Sequence, residues 1–185
     1  MAKVKGTALM PRIKYLEEKA TPEQKEKIVA LLSPEFQKEV RQGIFLGTWY
    51  PFEYYIEINR ALDKVLGTGD LSLIPKLGYY SADQGLKGVY KLFYKVGSPE
   101  FIIQRGAKVW NQYFVNGQLN VAKVAPGEAR ITLTEVESPT EEHCLSVLGW
   151  VHRTLELSGG KNVRTEMSKC RRKGAPFCEI TARWD

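Results

Sequence analysis

Apolar residues recur at helical spacing through the first two thirds of the chain, and strand-like alternation takes over after residue 117. Tyr54, Tyr55, Ile58, Leu62 and Val65 form one stripe after Pro51, ended by Gly67 and Gly69. Leu86, Val89, Tyr90 and Phe93 form a second that ends at Gly97. Ile103, Ala107, Trp110 and Phe114 form a third, running from Ser98 to the stop at Asn116-Gly117. Two short amphipathic helices are expected before residue 43. Their starts are written in cap chemistry: Thr21-Pro22-Glu23-Gln24 is a capping box, and Ser33-Pro34-Glu35 pairs a cap residue with a first-turn proline. Ser98-Pro99-Glu100 and Ser138-Pro139-Thr140-Glu141 repeat the device. In each, the hydroxyl accepts from an orphan N–H while proline has none to lose.

Beyond Gly117, Leu119 to Val124 and Arg130 to Val136 read as strands around the turn Ala125-Pro126-Gly127-Glu128, with Pro and Gly in type II positions. A helix from Pro139 to Ser158 carries the stripe Cys144, Leu148, Val151 and Leu155, and Gly159-Gly160 stops it. A second hairpin joins Asn162–Cys170 to Phe177–Trp184 around Lys173-Gly174-Ala175. The fold class is therefore α+β: N-terminal helices, then hairpin, helix and hairpin, with a four-stranded antiparallel sheet packed on helices. We expect one domain over 1–185, divided into short helices (1–43), an aromatic-rich helical layer (44–116) and the hairpin–helix–hairpin unit (117–185).

Composition narrows the function. The chain has 185 residues and no apolar run near the roughly 20 needed to span a bilayer. Its N-terminus lacks the continuous hydrophobic stretch of a secretory signal, so a bacterial cytoplasmic protein is expected. Net charge is +6, and the segment from Gly159 to Asp185 holds +4 of it, with seven bases against three acids. Such a segment can meet phosphate, but a solvated strand face and turn is the favoured reading, which makes nucleic acid an unlikely partner.

Three cysteines in such a chain point to a metal or to burial rather than to disulfides. Cys170 and Cys178 are symmetric about Gly174, so a hairpin sets them opposite each other. Cys144 lies on the helix stripe that packs on that sheet, and the three thiols can converge. Apolar alternation puts Val163 and Met167 on the face of Ile180 and Trp184, whereas the cysteine pairing alone would put Ser168 and Glu166 there. A one-residue bulge near Ser168-Lys169 satisfies both.

The stretch from Gly149 through Lys169, Cys170, Gly174 and Cys178 to Trp184 resembles the 4-vinyl-reductase domain. That domain is the sensory part of aromatic-responsive transcriptional activators and occurs in a bacteriochlorophyll-synthesis accessory protein. It is related in fold to subunits of the TRAPP vesicle-tethering complex. Twenty-five residues separate Cys144 from Cys170 and seven separate Cys170 from Cys178. This matches the zinc-binding cysteines of the sensors, and Gly149 stands where their helix glycine does. The resemblance covers residues 117–185. It implies zinc on Cys144, Cys170 and Cys178, a ligand held between helices and sheet, and a homodimer built through the helices. Two positions depart from it. Met167 replaces the acidic fourth ligand, which leaves Glu166, one residue off, or His143 as candidates, and Thr165 replaces a tyrosine, so the sensors' phenol contacts are not carried over. Zinc is thus a possible cofactor and none is certain; three buried reduced thiols packing as small hydrophobes is the favoured alternative.

No GxGxxG, Walker or HExxH pattern occurs, and His143 and His152 belong to no legible catalytic triad, so an enzyme is not expected. Fifteen of the 20 aromatic residues lie between Phe45 and Phe114, enough to wall an amphipathic pocket. Trp49, Tyr54, Tyr55, Tyr90, Phe93, Trp110 and Phe114 are the candidate lining for an apolar or aromatic small molecule. The leading expectation is a non-enzymatic ligand-binding or sensory module that signals through an unidentified protein partner. A scaffold or tethering subunit with a filled core is the second, and an anion-binding protein using Arg171, Arg172 and Lys173 the third.

Overall fold

The computed structural model describes residues 1–85, 98–137 and 139–185. The stripe Leu86, Val89, Tyr90 and Phe93 lies outside the described residues. The chain opens on a short strand, β1 (Lys3–Lys5), and three helices: α1 (Gly6–Lys19), α2 (Pro22–Ala30) and α3 (Pro34–Gln42). Strand β2 (Trp49–Pro51) leads into α4 (Phe52–Leu66) and α5 (Ile74–Gly85). After Ser98 come α6 (Pro99–Val109), a 3-10 turn at Trp110–Gln112 and β3 (Phe114–Val115). The last unit is β4 (Gln118–Ala125), β5 (Glu128–Thr134), α7 (Glu141–Leu157), β6 (Arg164–Lys169) and β7 (Cys178–Arg183). The α+β order expected from the sequence is the order observed.

Local chemistry explains most boundaries. Thr21 Oγ1 accepts from the Gln24 N–H at 3.2 Å, and Gln24 Oε1 accepts from the Thr21 N–H at 2.9 Å, closing the capping box. Ser98 Oγ accepts from the Phe101 N–H at 3.3 Å. Ser33 behaves differently: its side chain makes no cap bond, and its N–H goes to Glu57 at 2.8 Å. The helix expected from Pro139 begins at Glu141, because Thr140 is the hydroxyl that accepts from the His143 N–H, at 3.3 Å.

Two features departed from the periodicity. Helix α1 contains Pro11 and starts on Gly6, residues that argue against a helix there. Phe114 belongs to a strand rather than to the end of a helical stripe. It pairs with Val4, and Val4 pairs in turn with Tyr50, giving a three-stranded sheet in the order β2-β1-β3. Strands of two and three residues come from this tertiary pairing, not from any period.

The larger sheet runs β4-β5-β7-β6 and is antiparallel throughout. Its register shifts between Met167 and Lys169, which is the bulge expected there. Met167 pairs with Ile180, and the shift lets Cys170 return to the side occupied by Cys178. Helix α7 is wedged between this sheet and α5, so its burial is not one stripe: Val147 is buried and Leu148 only half-buried. Contact with α5 is backbone-close. A Cβ on Gly149 would overlap the Pro75 carbonyl oxygen, and one on Gly78 would overlap that of Ser146. Among the described residues, no helix is long and apolar enough to cross a membrane.

Candidate functional site

Helix α7 carries three chemically distinct neighbourhoods. On its sheet side, Cys144 meets Cys170 and Cys178, all buried, with the three Sγ atoms within 4.8 Å of one another. Cys144 and Cys178 are 3.2 Å apart, and the Arg171 N–H donates to Cys178 Sγ at 3.4 Å. With Cys144 as donor, the Cys178 pKa is held below the ordinary thiol value and that of Cys144 is pushed up. A cavity of about 10 Å³ lies beside them, lined by Cys144, Val147, Met167, Cys178 and the sheet residues Leu119, Ile131, Leu133 and Ile180.

An adjoining side of α7, about 100° around the helix from Cys144, faces an aromatic cluster. The His143 ring is enclosed by Phe52, Phe114, Trp110 and Tyr55, with centroids 4.9, 5.1, 5.6 and 6.0 Å away. Among the described residues its buried Nε2 has no hydrogen-bond partner. Burial, reinforced by the charge of Arg12, pushes the His143 pKa down to about 3. The imidazole is therefore neutral in the folded protein, while the unfolded chain protonates it near its ordinary value. Between about pH 6.5 and pH 3 the unfolded state binds the extra proton, so stability falls as the pH falls through that window. The slope is up to about 1.4 kcal/mol per pH unit from this group. His143→Phe should flatten the urea-unfolding stability profile over that range by this amount. Equal slopes in the two proteins would refute the assignment.

Next to this cluster, Arg12 of α1 is wholly buried and joins four helices. Its Nε donates to Asn59 Oδ1 at 3.2 Å and its Nη2 to the Tyr55 hydroxyl at 2.6 Å, with further bonds to Ser81 and Ser146. Tyr55 and Ser146 also bond each other, at 2.8 Å. Among the described residues, every hydrogen-bond acceptor of Arg12 is neutral, and burial pulls its pKa below the usual guanidinium value.

Between α6 and β4 lies an open groove of about 400 Å³. Trp110 is its aromatic wall, Ala107, Leu119 and Val121 are aliphatic, and Gln104, Asn111, Gln118 and Asn120 supply amides, with Lys108 at the edge. Leu119 also lines the thiol cavity, so its side chain borders both spaces.

The candidate residues are thus distributed. Cys144, Cys170 and Cys178 are brought together. The two proposed fourth ligands are not: His143 points into the aromatic cluster, and Glu166 is exposed, 3.6 Å from Arg183. Tyr55, Trp110 and Phe114 share the cluster around His143. Trp49 is exposed, with the Lys5 ammonium over its ring, and Tyr54 stacks on Phe36 at 4.3 Å. Tyr90 and Phe93 lie outside the described residues. Sequence reasoning did not single out Arg12 or the groove amides, since neither follows any motif or period.

No protein-family model and no curated protein matches the chain. Solved structures do. An H-NOX (heme nitric oxide/oxygen binding) protein from S. oneidensis in the Fe(II)NO state superposes with a TM-score of 0.75 at 9% identity, over 98% of this chain and 99% of that one. Unliganded Fe(II) H-NOX from K. algicida gives 0.69 at 11% identity, covering 98% and 96%. H-NOX from Shewanella woodyi, in its Fe(II)CO state, gives 0.68 at 10% identity, covering 97% and 94%. The chain has the H-NOX fold.

This corrects the resemblance to the 4-vinyl-reductase and TRAPP-like family. That resemblance rested on spacing within residues 117–185, whereas the H-NOX likeness runs through nearly the whole chain. The cofactor expectation is corrected as well: those H-NOX structures are described by Fe(II) and its ligation, and a further one by its heme, none by zinc. Heme iron needs a histidine, cysteine, methionine or tyrosine donor and room for the macrocycle. The chain has two histidines. The free Nε2 of His143 is a potential donor, but four rings occupy the space around it. His152 is held by Thr165 at 3.1 Å and Glu156 at 3.4 Å. Neither histidine lines the groove or the thiol cavity, and the cysteines face only about 10 Å³. Among the described residues, no histidine or cysteine offers heme iron a ligand beside a space that would hold the macrocycle.

Proposed function

We propose that this chain is a non-enzymatic small-molecule-binding module of H-NOX fold, whose ligand occupies the groove between α6 and β4 and whose signal passes to a protein partner. The groove carries the reading. Its roughly 400 Å³ falls in the range of small-ligand sites, about 300–1,000 Å³. An indole wall beside four amides suits a flat molecule with an aromatic face and a hydrogen-bonding edge. Likeness to domains that bind small ligands in an overlapping architecture supports it. Of the lining expected from the sequence, Trp110 belongs to this groove, while Tyr55 and Phe114 back it from the core. Because α6 packs on both α7 and β4, a ligand wedged beside it is placed to shift that helix against the sheet.

Binding of the aromatic dye 1-anilinonaphthalene-8-sulfonate to the full chain, read by dye and tryptophan fluorescence, tests the site. Ala107→Leu narrows the groove at a part-exposed helix position and should weaken binding at least tenfold, about 1.4 kcal/mol, with the melting temperature unchanged. Arg171→Ala with Arg172→Ala should bind as the wild type does. Equal dye affinity in the Ala107→Leu protein would refute the groove.

A further inference from the structure

We propose that the protein partner docks by adding an extended acidic segment, as a further strand, to the open edge of β4. The proposal rests on the groove reading for its site and names that reading's output, because strand and groove ligand exclude each other. β4 is a terminal strand in the sheet order β4-β5-β7-β6. Successive residues of a strand point to opposite faces, yet Gln118, Leu119, Asn120 and Val121 all line the groove. A hollow touched by consecutive residues runs along the edge of the strand, and Gln104, Ala107 and Lys108 of α6 form its far wall.

One bond fixes the phase of the ladder. The Trp184 N–H donates to the Gly127 carbonyl oxygen at 2.9 Å, a hydrogen-bonded pair one step beyond Glu128 and Arg183. Counting by two, Ala129, Ile131 and Leu133 turn their peptide groups to β7, while Arg130, Thr132 and Thr134 turn theirs to β4. Their partners Ala122, Asn120 and Gln118 are thereby engaged, and the peptide groups of Leu119 and Val121 point away from β5. Among the described residues, no backbone outside the sheet pairs with them. Open edges are ordinarily blunted. The sheet's other edge, β6, carries Arg164, Glu166 and Lys169 and a bulge. On β4, Lys123 and the register shift guard only the end beyond Ala122, and residues 118–122 have no charge, proline or bulge. Lys108 lines the groove, Arg105 lies exposed one turn earlier, and among the described residues no carboxylate lines it, which favours an acidic segment. In such strand addition, main-chain bonds give affinity and alternate side chains give specificity.

The probe is a short capped peptide alternating valine and glutamate, labelled with fluorescein and read by anisotropy on the full chain. Methylating the amide nitrogens of alternate residues should abolish binding in one phase and spare it in the other, since only every second N–H of an added strand faces β4. Val121→Pro removes an outward N–H from an edge strand and should weaken binding about tenfold or more, with circular dichroism unchanged. The methylated peptides decide the matter if that variant fails to fold. Lys108→Glu should weaken binding about fivefold or more, and 1-anilinonaphthalene-8-sulfonate should displace the peptide. Dye binding without peptide binding would overturn the strand and leave the groove ligand standing, whereas peptide binding without dye binding would do the reverse. The proposal is also overturned if the two methylated phases bind alike, if dye and peptide bind together, or if sedimentation shows a dimer that Val121→Pro dissolves, which would assign the edge to a second copy.

Discussion

Gly149→Ala is expected to destabilise the protein by about 3 kcal/mol or more, and to prevent folding if stability is marginal. Alanine favours a helix interior over glycine by about 1 kcal/mol, so propensity alone predicts a gain. Packing opposes it and wins. The new methyl would overlap the carbonyl oxygen of Pro75, a backbone atom on α5 that no rotamer change can move. Gly78 meets Ser146 in the same way from the other helix, so α5 and α7 have no slack on either side and would have to separate along their length. Gly106→Ala is the internal control. Its Cβ would lie 2.6 Å from the far end of the Trp150 ring, a side chain that can turn aside. It should cost under about 1 kcal/mol, because the propensity gain offsets the adjustment. Urea-unfolding midpoints measure both, and a Gly149→Ala loss below 1 kcal/mol would contradict the backbone contact.

Arg12→Ala is the second large effect, expected at about 3–5 kcal/mol. Truncation empties the space of a wholly buried side chain and leaves Asn59, Ser81 and Ser146 without a donor that reaches all of them. Arg12→Met should cost only about 1–3 kcal/mol. It keeps most of the volume, and burying a guanidinium among neutral partners was itself unfavourable. Tyr55 and Ser146 retain their mutual bond in either variant. The difference between the two substitutions separates packing from hydrogen bonding. Equal losses would mean that the lost hydrogen bonds alone, and not volume, set the cost at this junction.

What the sequence disclosed was what local chemistry decides. The Thr21 capping box, the Gly127 turn and the Ser168 bulge each follow from residues within a few positions of one another. Helix α1 was hidden because Gly6 and Pro11 oppose it locally, while buried Leu9, Arg12 and Leu16 secure it through contacts with distant helices. The small sheet was hidden because it joins residues 3–5, 49–51 and 114–115, each too short to show a period. Within the sites the same division holds. The thiols were legible because spacing across one hairpin brings two together and the helix stripe adds the third. His143 was a candidate partner for them, yet its place on α7 turns it to the aromatic side. The groove was illegible because its amides come from a helix end and a strand that meet only in three dimensions. A motif within residues 117–185 likewise suggested one family, and the path of the whole chain showed another fold.

Native mass spectrometry of the full chain, purified from cells without added ligand, tests the groove reading most directly. We expect a bound small molecule on the wild-type protein that is lost from Ala107→Leu and kept when Arg171 and Arg172 are both replaced by alanine. One equivalent of heme on the wild type, or an adduct that Ala107→Leu leaves in place, would contradict it.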